Sequence, residues 1–421
     1  MAMVLLLGTL NRVMIVELKV PTLLVAVMVA LPILFAPFRA LIGFKSDRHQ
    51  SELGWRRVPY IWRGTMLQFG GFAIMPFALL VLAGAGQSAQ APLWVGQFAA
   101  AAAFLLVGAG LHIVQTAGLA LATDLTAEQS KPKMVGLMYV TLLLGMAVSA
   151  LLFGALLESY SHGRLIQVIQ GAAVATLVLN TLAIWKQEPR TRRKALASAG
   201  SEPGFLESMA QLAPTQSQRR WLLTIFVGTL AFTMEDVLLE PYGGEVLGLS
   251  VSETTRLTAT LAFGSLLGFW WASQRLGRGA CPYQMTQLSA WLGVPSFSLL
   301  ILAAPLQMDL LFSLSVFGIG LGAGLFGHGS LTATILSAPP GQSGLALGLW
   351  GALQATAAGL GLAGGGIIKD LAGNLLSAGE SYAVVYFIEL VLLVITILLL
   401  KSRSPKALLA PHSNTRIETC R

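Results

Sequence analysis

The distribution of long apolar runs constrains the fold of this 421-residue chain more than any other feature. A helix needs about 20 predominantly apolar residues to cross the hydrocarbon core of a membrane. Twelve such runs occupy residues 1–17, 21–42, 59–83, 93–122, 134–157, 165–185, 221–239, 254–272, 284–304, 309–337, 342–368 and 381–400. Charged residues make up only 11% of the chain, against about 25% in soluble proteins. The sequence therefore predicts an all-α polytopic membrane protein with twelve spanning helices.

The longest polar segment separates the runs into two sets of six. We predict an N-terminal six-helix half over residues 1–185, a cytoplasmic linker over 186–220, a C-terminal six-helix half over 221–400 and a cytoplasmic tail over 401–421. Within the linker, the string GFLESMAQL favours a short helix on the membrane surface, and a solvated linker would fit as well. The first run ends early, at Glu17, so either the first helix is short or the natural chain begins upstream of residue 1, and we favour the second interpretation.

Basic residues are concentrated on one side of the predicted membrane. With both termini in the cytoplasm, the cytoplasmic loops and tail contain about 20 of the 27 Lys and Arg residues, and the opposite loops contain only Lys19, Arg164 and Lys369. This asymmetry follows the positive-inside rule for short loops. The rule accounts for the net charge of +8, so no nucleic-acid partner is expected.

Two segments 220 residues apart indicate that the halves are homologous. Residues 8–10 of LLLGTLNRVMIVEL match residues 228–230 of IFVGTLAFTMEDVLLE, and Met14 matches Met234. Weaker matches relate the fifth and eleventh runs. Such internal repeats are typical of membrane transporter folds.

A patterned loop follows the second run. The string GFKSDRHQSELGWRR has the pattern G-x-x-x-D-R…G-x-R-R, formed by Gly43, Asp47, Arg48, Arg56 and Arg57. This pattern resembles the signature loop of the major facilitator superfamily. We expect Gly43 to permit a tight helix exit, Asp47 to accept hydrogen bonds from a neighbouring helix N-terminus, and the arginines to pair with carboxylates and lipid headgroups. Such a network would join the two halves on the cytoplasmic side; the alternative is a merely basic loop.

Several longer strings resemble one family more narrowly. They are GTLNRVMIVEL, LFAPFRALIGFKSD, LGWRRVPYIW, GLHIVQTAGLALATD, RLIQVIQGAA and LAIWKQE. These strings are similar to the PucC/LhaA family, the bacteriochlorophyll-delivery branch of the major facilitator superfamily. The resemblance covers essentially all of the first half and continues more weakly through the second. It implies a twelve-helix major facilitator fold and a role as an assembly factor for light-harvesting complexes.

The resemblance also implies a cargo, partners and a location. The cargo would be (bacterio)chlorophyll, handed to nascent antenna polypeptides of LH1 or LH2, with LH1 slightly preferred. Other partners would be the reaction centre, pigment-synthesis enzymes and membrane lipids. The location would be the bacterial inner membrane, including its intracytoplasmic photosynthetic part, with both termini cytoplasmic.

Polar side chains on two predicted spans are candidates for contact with this pigment. His112 and Gln115 lie on the fourth run and His328 on the tenth, two of the runs that line the central cavity in the facilitator fold. His112 and Gln115 share one helix face, and the two histidines lie at similar depth. Because imidazole can be an axial ligand of chlorophyll magnesium, we predict that His112 and His328 coordinate or hydrogen-bond the pigment. The alternative is an ordinary hydrogen bond to a neighbouring helix.

Charged residues on the first and seventh runs suggest a second site. Arg12 lies at a depth similar to that of Glu235 and Asp236 on the repeat-related helix. We predict that Arg12 pairs with Glu235 or Asp236, because an unpaired charge at membrane depth costs about 3 kcal/mol. The alternative is that Arg12 reaches the membrane surface or pairs with Glu17.

Two further ionisable residues lie within predicted spans. Arg39 is near the cytoplasmic end of its run, and we expect it to reach lipid headgroups. Glu389 lies in the middle of the twelfth run. It would be a protonated carboxyl group at a contact with an antenna helix or a second copy, or it would have an internal hydrogen-bond partner.

Three functions are compatible with these features. The favoured one is a non-enzymatic carrier or assembly chaperone for pigment, because the predicted cavity helices are too apolar for most water-soluble solutes. The alternatives are a proton-coupled secondary transporter acting through Glu235 or Asp236, and a pigment-free scaffold for antenna subunits. Enzymatic activity is not expected, because the chain has no nucleophile elbow, metal-ligand cluster, phosphate loop or nucleotide motif.

Overall fold

Helices joined by short loops make up the computed structural model of this chain. It describes residues 1–20, 22–49, 51–84, 90–158, 160–190, 204–213, 215–249, 251–339 and 341–401. Within these residues there is no β-strand, and helices occur at all twelve positions predicted as spans. The all-α membrane fold predicted from the sequence is therefore confirmed.

The helices before the linker begin with two short elements. A π-helical turn over Leu5–Thr9 joins α1 (Ala2–Val4) to α2 (Leu10–Val16). The longer helices that follow are α3 (Thr22–Leu34), α4 (Phe38–Arg48), α5 (Val58–Leu82), α6 (Leu93–Leu125), α7 (Lys131–Leu156) and α8 (His162–Ile184). Together these helices cover the first six predicted spans.

The linker and the later part of the chain are also helical. Helix α9 (Phe205–Leu212) lies at the position predicted for a short helix in the linker. A 3-10 turn over Glu235–Val237 lies between the next two helices. The helices after α9 are α10 (Gln216–Ala231), α11 (Leu239–Glu245), α12 (Val251–Gly277), α13 (Pro282–Leu306), α14 (Asp309–Ser337), α15 (Ser343–Gly373) and α16 (Ala378–Lys401).

Two of the predicted spans are broken rather than continuous. Among the described residues, eight helices are long and apolar enough to cross a membrane without a break. The pair α3 and α4 and the pair α10 and α11 each meet the same criteria together, with a bend of 41° at the break, so the described residues contain up to ten spans if each bent pair is one span. Pro32 in α3 and Pro37 before α4 explain the first bend, because proline lacks the N–H donor and clashes with the preceding turn. The second bend has no proline at the break itself.

The chain folds into two compact units. The first unit contains residues 1–125, 141–202 and 341–352, and the second contains residues 126–140, 203–340 and 353–421. The start of α7 thus belongs to the second unit, and the start of α15 belongs to the first.

Each unit has its own apolar core. In the first unit, α5 and α6 cross where Gly64 faces Gly110, and a Cβ at Gly64 would lie only 2.8 Å from the Gly110 carbonyl oxygen. Small residues at such crossings let helix backbones approach closely, which is how helices gain packing energy in a membrane. In the second unit the core is rich in buried aromatic side chains, namely Phe232, Tyr242, Phe297, Phe312, Phe326, Tyr382 and Tyr386.

Candidate functional site

Arg57 is the centre of a polar network in the first unit, at the loop between α4 and α5. Its side chain is fully buried. The guanidinium donates from Nη2 to Asp47 Oδ1 at 2.5 Å, and from Nε and Nη2 to Asp124 Oδ2 at 3.1 Å. It also donates to the hydroxyl groups of Ser46 at 2.6 Å and Ser343 at 3.0 Å. We call these five residues the loop network.

Asp47 extends this network to the beginning of α15. Its carboxylate accepts the backbone N–H groups of Gly344 at 2.9 Å and Leu345 at 2.7 Å. These N–H groups lie in the first turn of α15 and have no acceptor within the helix, and a helix N-terminus attracts negative charge. The structure thus brings Asp47 and Arg57 of the signature loop together and gives Asp47 the contact that the sequence predicts.

Gly43 has a different role from the one expected. Helix α4 continues to Arg48, so Gly43 lies inside the helix and does not form its exit. A Cβ at Gly43 would overlap the carbonyl group of Gly344. The absence of a side chain therefore allows α4 and the start of α15 to touch, and the expectation of a tight helix exit is wrong.

The two remaining arginines of the signature loop lie at the edge of the network. Arg56 is about 4.0 Å from Asp47 through Nη2 and is partly exposed. Arg48 is exposed, and its guanidinium lies 4.2 Å from the centre of the Phe44 ring. Unlike Arg57, neither of these side chains is buried in the loop network.

Glu188 is a functional residue that sequence reasoning missed. Its carboxylate accepts the backbone N–H groups of Arg56, Arg57 and Val58 at 2.9 to 3.0 Å. It therefore caps the start of α5 from beyond the end of α8. The available signal was the lone acidic residue in the basic string KQEPR, which only a three-dimensional arrangement connects to the loop.

His49 lies in the same loop, outside the membrane-spanning helices. Burial lowers the pKa of His49, the nearby Arg63 guanidinium lowers it further, and Glu188 raises it. Because the net shift is downward from the usual value, His49 is neutral at physiological pH. Its titration therefore does not add charge to the loop network in that range.

His112 lies in a second polar cluster of the first unit. Its Nε2 hydrogen-bonds the carbonyl oxygen of Pro32 at 3.1 Å, at the bend between α3 and α4, so Nε2 is the protonated nitrogen. Its Nδ1 is buried and has no hydrogen-bond partner among the described residues. Gln115, one turn away on α6, is half-buried. The ring therefore links α6 to the bend and keeps one nitrogen without a partner.

Arg39 belongs to this cluster and does not reach lipid headgroups. It is buried, donating from Nε to the Thr116 hydroxyl at 3.1 Å and from Nη1 to the Gly351 carbonyl at 3.4 Å. Thr116 lies one helical turn after His112. The expectation from the sequence is wrong because the guanidinium finds internal oxygen partners.

His328 lies on α14 in the second unit. It is fully buried, and its Nδ1 is 3.0 Å from the Thr332 hydroxyl. The Pro132 carbonyl group of α7 is close enough to hydrogen-bond this ring, although Nε2 has no partner among the described residues that meets the full hydrogen-bond geometry. This nitrogen faces Gly136 of α7, where a Cβ would lie 3.3 Å away. As with His112, one ring nitrogen is bonded and the other is not.

The predicted pair between Arg12 and an acidic residue remains a prediction. The side chain of Arg12 lies outside the described part of the structure. Glu235 is buried in the second unit, where its backbone N–H donates to Glu389 Oε1 at 2.7 Å. Asp236 is exposed. Glu389 thus has an internal hydrogen-bond partner, which is one of the two alternatives that the sequence left open.

A cavity of about 420 Å³ lies in the second unit. Its lining is polar and consists of Glu245, Lys369, Asp370, Gly373, Asn374, Ala378 and Ser381. Sites for large apolar ligands are lined mainly by hydrophobic and aromatic side chains. This cavity therefore does not match a chlorin ring.

Comparison with solved structures defines the class of protein. A bacterial homologue of the iron transporter ferroportin, in its outward-facing state, has a TM-score of 0.67 at 16% identity, over 96% of this chain and 98% of that one. A proton:xylose symporter of the major facilitator superfamily has a TM-score of 0.66 at 15% identity, over 94% of this chain and 90% of that one. At such low identity the likeness shows the fold alone. The chain is a membrane protein with the major facilitator fold.

Sequence comparison defines the family. The profile of the PUCC protein family matches residues 9–405. Protein PucC of Rhodovulum sulfidophilum is 58% identical over 88% of this chain and 82% of its own length. Protein PucC of Rhodobacter capsulatus is 56% identical over 94% of this chain and 88% of its own length. The chain therefore belongs to the PUCC protein family.

A more distant relative has a name that refers to pigment synthesis. The bacteriochlorophyll synthase 44.5 kDa chain of Rhodobacter capsulatus is 28% identical over 92% of this chain and 88% of its own length. The similarity spans nearly the whole length of both chains.

Proposed function

We propose that this protein assists the assembly of light-harvesting complexes by binding (bacterio)chlorophyll and delivering it to nascent antenna polypeptides of LH1 or LH2. Membership of the PUCC family and the pigment-related name of the distant relative support this assignment. The protein would act in the bacterial inner membrane, with both termini in the cytoplasm. Its other partners would be the reaction centre, pigment-synthesis enzymes and membrane lipids.

The observation that carries the pigment-binding step is the state of the two buried imidazoles. A histidine that ligates a metal usually donates its other ring N–H to a backbone carbonyl or similar acceptor, which fixes its tautomer. His112 has this arrangement, with Nε2 on the Pro32 carbonyl and Nδ1 without a partner. His328 has Nδ1 next to Thr332 and Nε2 without a partner. His112 thus retains one nitrogen that could bind the magnesium of a pigment, and His328 would do so in the tautomer that donates from Nδ1 to Thr332.

Pigment binding at these rings requires local opening. The unpartnered nitrogens are buried, and His328 as a whole has no exposed surface. We propose that helices next to α6 or α14 move aside when pigment enters. Gln115, which is half-buried on the same helix as His112, would hydrogen-bond a carbonyl group of the pigment.

We propose no catalytic step for the protein itself. Among the described residues, no group of three or more His, Cys, Asp or Glu side chains could hold a metal ion. The fold is that of carriers, so the chemistry suggested by the distant relative's name would be supplied by a partner enzyme. A pigment-synthesis assay on the purified protein tests this point, and turnover without added enzyme would contradict it.

Substitution of the histidines tests the pigment-binding step. We expect the His112→Phe and His328→Phe variants, purified in mild detergent from a photosynthetic host, to contain less pigment per protein than the original chain. His162→Phe is the matched control, because His162 is exposed at the start of α8. Unchanged pigment content in both buried variants would contradict the ligand assignment.

Proton-coupled solute transport remains a second candidate function. The observation that favours it is the buried acidic contact between Glu235 and Glu389, because intramembrane carboxyl groups often belong to proton pathways. Proton uptake into proteoliposomes in response to a solute gradient would support transport. A pigment-free scaffold would instead co-purify with antenna polypeptides and remain colourless.

A further inference from the structure

The break between α10 and α11 is held by a carboxyl group from another helix. Helix α10 ends at Ala231, and regular helical structure resumes only at the turn over Glu235–Val237. At this point the Glu235 N–H donates to Oε1 of Glu389, on α16, at 2.7 Å. Glu389 thus satisfies a backbone donor that the break leaves open.

The same two residues place two carboxyl groups side by side in the interior. Glu235 is 1% exposed and Glu389 is 0% exposed. Their side chains are within hydrogen-bonding reach of each other. In each carboxyl group, Oε2 has no hydrogen-bond donor among the described residues. Because carboxylates are acceptors only, a hydrogen bond between the two groups requires a proton.

No positive charge compensates the pair in the described part of the chain. None of the ion pairs found there includes Glu235 or Glu389. Two adjacent carboxylates at a low-dielectric site cannot both remain ionised without a large energetic penalty. One proton, shared between them, removes the repulsion and supplies the missing donor.

The described residues around Glu235 and Glu389 do not provide a site for a larger ligand, so a proton is the simplest ligand for the pair. Tyr386 lies one turn before Glu389 on the same face of α16, and its buried hydroxyl has no partner among the described residues. The hydroxyl of Tyr242 on α11 already donates to the Leu300 carbonyl, and that of Tyr382 to Glu245. Helices α13 and α14 contribute the aromatic side chains of Phe297, Phe312 and Phe326 to this core. The described residues contain no group of three ligands that would favour a metal ion.

Helix α15 also packs against the break between α10 and α11. A Cβ at Gly361 would overlap the Thr233 hydroxyl, and one at Gly365 would overlap the Met234 carbonyl. The backbone just before Glu235 is therefore in close contact with α15. The break is therefore packed within the second unit, and a change in charge at Glu235 would affect its contact with Glu389 on α16.

We infer that Glu235 and Glu389 form a binding site for one proton, which holds α16 against the break between α10 and α11. Binding transfers a proton from water to a carboxylate and breaks no other bond. Release leaves two buried negative charges and weakens the contact with α16. This inference does not depend on pigment binding.

Infrared spectroscopy of the protein in lipid nanodiscs tests the site. A protonated carboxyl group has a C=O stretching band that is distinct from the carboxylate bands. We expect this band at neutral pH and expect it to decrease on titration from about pH 5 to about pH 9, a range that includes the ionisation of known buried glutamates. The band should disappear in the double variant Glu235→Gln/Glu389→Gln. In each single variant it should shift in frequency, because the remaining buried carboxyl group keeps a proton but loses its carboxyl partner.

Glu380→Gln is the matched control. Glu380 is exposed on the first turn of α16 and accepts hydrogen bonds from Ser377, a role that Gln can also fill. The control should retain the band. The inference is overturned if the original protein has no protonated carboxyl band at neutral pH, if the double variant keeps the band, or if adding sodium ions removes it. The titration of the original protein decides the matter even if a variant fails to fold.

Discussion

Removal of the Arg57 side chain should strongly destabilise the first unit. Arg57→Ala leaves Asp47, which is 4% exposed, without its guanidinium partner at 2.5 Å. Breaking a buried ion pair from one side typically costs about 3–5 kcal/mol. We expect the lower end of this range, about 3 kcal/mol, because Asp47 keeps the N–H groups of Gly344 and Leu345 and Asp124 is one-third exposed.

The assay is unfolding of the purified protein by sodium dodecyl sulfate in mixed micelles, followed by circular dichroism. Arg48→Ala is the matched control, because Arg48 belongs to the same motif but is exposed and contacts the Phe44 ring. Interactions of an exposed charge are screened by water and contribute less than a buried ion pair. Arg57→Lys should fall between the two, because Lys keeps the charge and loses the forked donors. If Arg57→Ala and Arg48→Ala destabilise equally, the loop network does not hold α4, α5 and α15 together.

Three further substitutions test separate contacts with the same unfolding assay. Gly43→Ala should destabilise by about 1–3 kcal/mol, because its Cβ would overlap Gly344; a neutral effect would contradict the close crossing of α4 and α15. Glu188→Gln should lower the free energy of unfolding by about 1 kcal/mol, because the carboxylate that caps the N-terminus of α5 loses its charge. Glu52 is exposed, so Glu52→Gln should be neutral, and equal effects of the two substitutions would refute the cap. Gly365→Ala should destabilise the second unit, because its Cβ would overlap the Met234 carbonyl. Gly364 faces open space, so Gly364→Ala should be neutral or stabilising. A larger loss of stability in Gly364→Ala than in Gly365→Ala would rule out the contact at Met234.

The hydrophobic pattern was sufficient to predict the helices of this protein. Each predicted run contains a helix, because only helices satisfy the backbone hydrogen bonds of a segment in lipid. The same pattern did not show the break between α10 and α11. The break contains Met234 and Glu235 within an otherwise apolar run, and it depends on Glu389, which lies 154 positions away in sequence.

The loop network was predicted only in part for a similar reason. The spacing of Asp47 and Arg57 resembled a known signature, so their role could be stated from the sequence. Glu188 and Asp124 had no local pattern that connects them to that loop. Arg39 was wrongly expected to face lipid headgroups, because its position near a helix end gave no information about Thr116.

The candidate pigment site depends on chemistry that a sequence cannot fully specify. The positions of His112 and His328 on their helices could be read from the sequence, as could their burial in apolar spans. Which ring nitrogen is bonded could not, because it depends on the Pro32 carbonyl at a bend and on the hydroxyl of Thr332.

The central claim is that this protein carries (bacterio)chlorophyll to antenna polypeptides. The most direct measurement is the absorption spectrum of the protein purified in mild detergent from a photosynthetic membrane, together with the identity of the polypeptides that co-purify. We expect a pigment band in the fraction that contains the protein and antenna subunits in the same fraction. A colourless preparation that contains no antenna subunit would contradict the claim.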